Sequence, residues 1–166
     1  MKTYLDFAST TPMASEVVEK MHAVMSEGSF GNPSSLDHEY GIKAKNIIEQ
    51  SRNDVASLIN AKPEEIVWTS GATESNNLAI VGFHQFQYQN QALRFVTSHL
   101  EHKSVIESMQ SVEALGSNVS YIQPNKDGQI DLETFASQLN PNTTFVSCMH
   151  INNETGAVND IANIGK

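Results

Sequence analysis

Three stretches of this sequence concentrate side chains that could cradle an anion, hold a ring or move a proton. The first is Thr69-Ser70-Gly71-Ala72-Thr73-Glu74-Ser75-Asn76-Asn77, at the start of a helical pattern. Gly71 permits a tight turn and Ala72 keeps the backbone approachable. The free N–H groups of a helix start, with the Ser70 and Thr73 hydroxyls, suit a phosphate. No Gly-Lys-Ser/Thr follows, so this is not the loop of nucleotide hydrolases. A capped helix start that binds nothing fits the same residues equally well. The second stretch is Thr97-Ser98-His99-Leu100-Glu101-His102-Lys103-Ser104, where a histidine at a strand end can stack on a ligand or transfer a proton. The chain has six histidines, and a surface or capping role is the plain alternative. His99 and His102 have the spacing of a metal pair, but no Cys or further His repeats it, so no metal is expected. The third is His150-Ile151-Asn152-Asn153-Glu154-Thr155-Gly156. Its adjacent amides and carboxylate are poor strand formers that serve either a ligand or a tight turn.

The spacing of apolar residues shows what positions these groups. Tyr4 to Pro12 reads as extended, and Ser15 is expected to cap a helix carrying Val17, Val18, Met21 and Met25. A Gly28 to Ser35 loop leads to a long helix from about His38 to Asn60, with Ile48, Val55 and Ile59 on one face. That loop, with Phe30-Gly31-Asn32-Pro33-Ser34-Ser35, either closes over a site or joins two helices. From Glu65 onward, short apolar runs alternate with amphipathic helices. Ile66 to Thr69, Leu93 to Thr97, Val119 to Ile122 and Thr144 to Met149 read as strands. The intervening helices carry Ala79, Phe83 and Phe86, then Val105, Met109 and Val112 before Gly116, then Leu132, Phe135 and Leu139 after a capping Asp131. This alternation predicts an α/β chain with a mostly parallel sheet. In such sheets ligands collect at the carboxyl ends of the strands, where the polar stretches lie.

Composition narrows the partners. The chain has 166 residues with ten Lys+Arg against nineteen Asp+Glu, a formal charge of −9. Nothing offsets repulsion from nucleic-acid phosphates, so no nucleic acid is expected. No apolar run approaches the roughly 18 residues of a membrane span, and the N-terminus lacks a signal-peptide pattern. The single cysteine, Cys148, cannot form an internal disulfide and reads as a buried core thiol, which favours a reducing, cytoplasmic setting.

Taken in order, the motifs resemble the N-terminal part of a cysteine desulfurase, a class V aminotransferase-like, fold-type-I enzyme that uses pyridoxal 5'-phosphate (PLP). The resemblance rests on Tyr4-Leu5-Asp6 with Thr10-Thr11-Pro12, Phe30-Gly31-Asn32-Pro33-Ser34-Ser35 with His38 and Gly41, the Thr69 to Asn77 stretch, Glu101-His102-Lys103-Ser104, and Met149 to Gly156. Ala8-Ser9 stands where Ser-Ala is expected, and Asn159 stands where Gln is frequent. By resemblance, Ala72 and Thr73, with Gly71 in the same turn, would bind the PLP phosphate. His102 would stack on the pyridine ring and assist proton transfer, and Asn153 would hydrogen-bond near the ring's 3-hydroxyl. The substrate implied is L-cysteine, converted to alanine and an enzyme persulfide that feeds iron–sulfur cluster or thio-cofactor synthesis. A homodimer and an iron–sulfur scaffold or other sulfur-acceptor protein are the partners implied. Another class V aminotransferase or a selenocysteine lyase is the family-level alternative.

The resemblance also implies what the chain lacks. The lysine that attaches the cofactor, the aspartate on the pyridine nitrogen and the nucleophilic cysteine would all lie beyond Lys166. Cys148 and Lys103 match neither role. The expected organisation is an extended segment at 1–12 followed by a partial PLP-binding large domain at 13–166, with helices on both faces of an incomplete sheet. Within that sheet the third, second and fourth apolar runs would be neighbours, and Ile66 to Thr69 would be separated from them. Such a chain is expected to be inactive alone. It would self-associate, join a missing C-terminal half as part of a split enzyme, or serve as a non-catalytic interaction protein.

Overall fold

The computed structural model describes residues 3–7, 9–26, 29–88 and 92–166. Gly28, the expected start of the first loop, and Ala8 lie outside the described residues. The chain divides into two compact units, Met1–Trp68 and Thr69–Lys166.

The first unit holds α1 (Ser15–Ser26) and α2 (Glu39–Leu58). The segment before α1 is irregular and, instead of running extended, turns at Asp6, whose carbonyl accepts the Ser9 N–H. Ser15 does not cap α1. The helix starts one residue earlier than a Ser15 cap requires, with the Ala14 carbonyl accepting the N–H of Val17 and Val18. His38 caps α2 by accepting the Gly41 N–H at Nδ1, 3.1 Å away. A Cβ at Gly41 would fall 1.7 Å from the Ser35 carbonyl oxygen, so only glycine lets the Phe30–Ser35 loop lie this close to the helix. The buried face of α2 is Gly41, Ala44 and Ala56. The expected stripe of Ile48, Val55 and Ile59 is not its core, and Ile59 is 62% exposed.

Ile66 to Thr69 forms no strand. A strand needs a neighbour for its backbone groups, and among the described residues no strand pairs with this run. The Ile66 carbonyl instead accepts a hydrogen bond from the Arg52 guanidinium, which also sits 5.6 Å from the centre of the Trp68 ring.

The second unit runs α3 (Ala72–Gln87), β1 (Arg94–Ser98), α4 (Lys103–Ala114), β2 (Asn118–Ile122), α5 (Leu132–Gln138), β3 (Thr143–Val146) and α6 (Ile161–Ile164). The strands make a parallel sheet ordered β2-β1-β3. The second, third and fourth apolar runs are therefore neighbours in the expected order. β3 ends at Val146, short of the expected Met149.

Side chains alternate across β1, and each face has its own core. Phe95 packs with Ile80, Val105, Met109 and Val112 from α3 and α4. Val96 packs with Ile122, Ile130 and Phe135, on the side of α5. The predicted α4 stripe of Val105, Met109 and Val112 is fully buried, and Asp131 caps α5 by accepting the Thr134 N–H at 2.8 Å. In α3 the buried positions are Ile80 and His84, with Phe83 partly buried against them, whereas Phe86 is 83% exposed.

Candidate functional site

The loop from β1 into α4 carries the second chemical stretch. His102 caps α4: its Nδ1 accepts the Ser104 N–H at 3.2 Å and lies 2.8 Å from the Ser104 hydroxyl. Ser104 is buried, and its hydroxyl also receives the Asn76 side-chain amide of α3 at 2.7 Å. The His102 ring stays exposed. His99 is also exposed and packs its ring against Tyr121, with centroids 5.3 Å apart.

The segment after β3 folds back beside this loop. Asn152 is buried and its side chain is fully engaged. Nδ2 donates to the Leu100 carbonyl at 2.9 Å, and Oδ1 accepts the N–H groups of Glu154 and Thr155 at 3.0 and 2.8 Å. The Glu101 carboxylate makes a second tie by accepting the Met149 N–H. Asn159 braces the segment itself, donating to the Met149 carbonyl and accepting the N–H of Ile130, which precedes α5, both at 2.8 Å. Asn153, by contrast, is exposed. Between the two loops lies a cavity of about 240 Å³ lined by His99, Glu101, His102, Asn152, Asn153 and Thr155, among others.

The Gly71–Thr73 turn stands at the start of α3 and does not line that cavity. It is tied to the His102 loop through the Asn76–Ser104 hydrogen bond and the packing of α3 on α4. Gly71 offers no side-chain cap, and the first N–H groups of a helix have no partner within it. The N–H groups of Ala72 and Thr73, with the exposed Thr73 hydroxyl, therefore suit an anion. Ser70 is not free to help. Its N–H and hydroxyl both bond to the Glu74 carboxylate at 2.6 Å. Those bonds, the hydroxyl's first, hold the Glu74 carboxyl below its usual range.

Burial shifts two groups near the cavity. It pushes the Glu101 carboxyl above the ordinary carboxylate range, opposed by the Met149 N–H bond. It pushes the Cys148 thiol up to about 11, with the Glu101 charge adding to the effect. Cys148 is half-buried beyond the end of β3, against the Val96 core. Among the described residues, no group of three or more His, Cys, Asp or Glu could hold a metal ion. No helix among them is long and apolar enough to cross a membrane.

The structure thus brings His102 and Asn153 to one cleft and places Gly71, Ala72 and Thr73 on the helix packed beside it. The parts played by Glu101, Ser104 and Asn76 escape a reading of residue types alone. Asn152 and Asn153 look equivalent in sequence, and only burial separates them. Of the two uses that residue type left open for this pair, a turn or a ligand, Asn152 takes the turn by accepting the Glu154 and Thr155 N–H groups.

The sequence profile described as aminotransferase class-V matches residues 3–166. The chain belongs to the class-V aminotransferase family. Within that family it is 48% identical to the cysteine desulfurase IscS of Azotobacter vinelandii, over 98% of this chain and 40% of that protein. It is 47% identical to IscS of Pseudomonas fluorescens with the same coverage. The chain therefore spans about 40% of the length of the curated relatives it matches. Among solved structures, a NifS-like protein superposes with a TM-score of 0.93 at 32% identity, covering 99% of this chain and 44% of that one. The structure of SspA in complex with cysteine superposes with a TM-score of 0.90 at 39% identity, covering 99% and 46% respectively.

Proposed function

We propose that this chain forms the phosphate-binding and ring-facing part of a PLP-dependent cysteine desulfurase. The observation that carries this reading is the placement of an exposed histidine and an exposed asparagine in one cleft, beside an uncapped helix start with free donors. A PLP phosphate fits the Gly71–Thr73 turn, where the Ala72 and Thr73 N–H groups and the Thr73 hydroxyl would hold it. His102 offers a flat ring for stacking, and Asn153 offers an amide to a ring oxygen. Bound there, PLP would supply an electron sink for the bonds around the α-carbon of an amino acid.

The substrate proposed is L-cysteine, with alanine and a persulfide as products passed to an iron–sulfur scaffold or another sulfur acceptor in the cytoplasm. Turnover is assigned to the assembled enzyme, not to these residues alone. Cys148 holds its proton too tightly to be a ready nucleophile. Lys103 lies 3.5 Å from Glu107 on the exposed side of α4. A homodimer or a further segment of enzyme would cover exposed apolar residues such as Leu58 and Phe86.

The test is titration of the chain with PLP, followed by fluorescence, with sulfide and alanine assayed after adding L-cysteine. Saturable binding, weakened several-fold in Thr73→Ala and in His102→Ala, is expected, without product. Absence of binding by the parent, or binding by both variants as tight as the parent's, would sink the assignment of the site. Sulfide release by the chain alone would sink the division of labour.

A further inference from the structure

We propose that Ser104, held by Asn76, is a positioning residue that fixes the protonation pattern of the His102 ring, with the ring proton on Nε2 and Nδ1 kept as an acceptor. The inference deepens the proposed function, since it concerns how the ring-facing histidine meets its ligand.

A neutral imidazole has one donor nitrogen and one acceptor nitrogen, and the partner of one decides the state of the other. Two groups converge on His102 Nδ1. The Ser104 N–H, 3.2 Å away, can only donate, so Nδ1 must offer its lone pair. The Ser104 hydroxyl, 2.8 Å away, has a single proton to place. With Nδ1 committed as an acceptor by the Ser104 N–H, the hydroxyl proton is the one that points to Nδ1, while a lone pair of its oxygen receives the Asn76 amide at 2.7 Å. Ser104 is 4% exposed, so its own N–H and hydroxyl are shielded from water. In the neutral ring, Nε2 therefore carries the hydrogen. It has no protein partner among the described residues, and the ring lines the cleft shared with Asn153.

Two consequences follow for the chemistry. Toward a ligand, His102 presents a fixed N–H donor at Nε2. Its acceptor nitrogen is turned toward Ser104. The relay also joins two parts of the site. Asn76 lies one turn along α3 from Thr73, so the helix that offers the anion-binding turn also sets the state of the ring.

Nitrogen-15 NMR of the full chain labelled at histidine, in mildly alkaline buffer, tests the assignment without any cofactor. The expected spectrum for His102 has a protonated Nε2 and a hydrogen-bonded, unprotonated Nδ1. A protonated Nδ1 would overturn the proposal. Ser104→Ala should lower the Nε2–H to Nδ1–H ratio by about fivefold, the scale of one lost hydrogen bond. Ser104→Thr, which keeps the hydroxyl, should restore it, and Asn76→Ala should lower the ratio in the same direction with Ser104 in place. An unchanged ratio in Ser104→Ala and Asn76→Ala, each folded by circular dichroism, would also overturn it. PLP titration of the same proteins separates this inference from the reading it rests on. A chain with the expected His102 spectrum that fails to bind PLP supports the positioning role and removes the proposed function.

Discussion

Neighbouring residues of the same type do opposite work in the cleft. Asn152 spends its side chain on the protein, whereas Asn153 keeps its own for solvent or a ligand. Truncating Asn152 to Ala would leave the Glu154 and Thr155 N–H groups without their acceptor. A loss of about 2 to 3 kcal/mol in urea unfolding is expected, because each such bond is worth about 1 kcal/mol net. Glu101 behaves differently. Its pKa is raised in the folded chain above the ordinary 4.5, so the folded state holds this proton more tightly than the unfolded one. Its contribution to stability is then greatest in acid and falls as pH rises from about the ordinary value through the raised one. Glu101→Gln keeps an acceptor for the Met149 N–H and has no charge to bury. Unfolding free energies from pH 4 to 8 should show this variant at least as stable as the parent at neutral pH, with its advantage over the parent growing as pH rises through the acid range. A less stable variant at neutral pH would mean that the hydrogen bond favours the charge more than burial opposes it.

At the level of elements, α3 shows what apolar spacing conveys and what it leaves out. Ala79, Phe83 and Phe86 share a helical face by spacing, yet the buried stripe is centred on Ile80 and His84. His84 is drawn inward because its Nδ1 pairs with the Ser117 hydroxyl at 2.9 Å and its ring stacks on Tyr88. A polar side chain with satisfied bonds can thus occupy a core position that hydrophobicity alone gives to a neighbour. Ile80→Ala should cost about 2 to 5 kcal/mol, and Phe86→Ser should lie within about 0.5 kcal/mol of the parent, both read by thermal unfolding. Equal losses would restore the stripe expected from spacing. The contrast with α4 is instructive, since Val105, Met109 and Val112 face a strand directly and the period identifies all of them. Strands are legible where a partner lies inside the same unit. Leu93 to Thr97 and Val119 to Ile122 pair as expected, but Ile66 to Thr69, also apolar, forms no strand among the described residues. In the site, the Gly71, His102 and Asn153 stretches stand out by residue type. Ser104 and Asn76 do not, because their part depends on contact across 28 positions of chain.

Across the whole molecule, charge opposes the ligand proposed for it. A phosphate-bearing anion approaches a chain of formal charge −9, and the attraction of the α3 start acts only at short range. Salt shortens the reach of the long-range repulsion, from roughly 30 Å at 0.01 M to about 8 Å at 0.15 M. Stopped-flow mixing with PLP should therefore show an association rate that rises with salt over that interval. A falling rate would show that the local field of the helix governs approach. The bond between Glu74 and Ser70 adds a final consequence. The anion seat is already half taken by a carboxylate of the chain itself, so affinity at this turn is a contest between an internal and an external anion. A ligand that merely resembles a carboxylate gains little there, and one carrying two negative charges has the means to win.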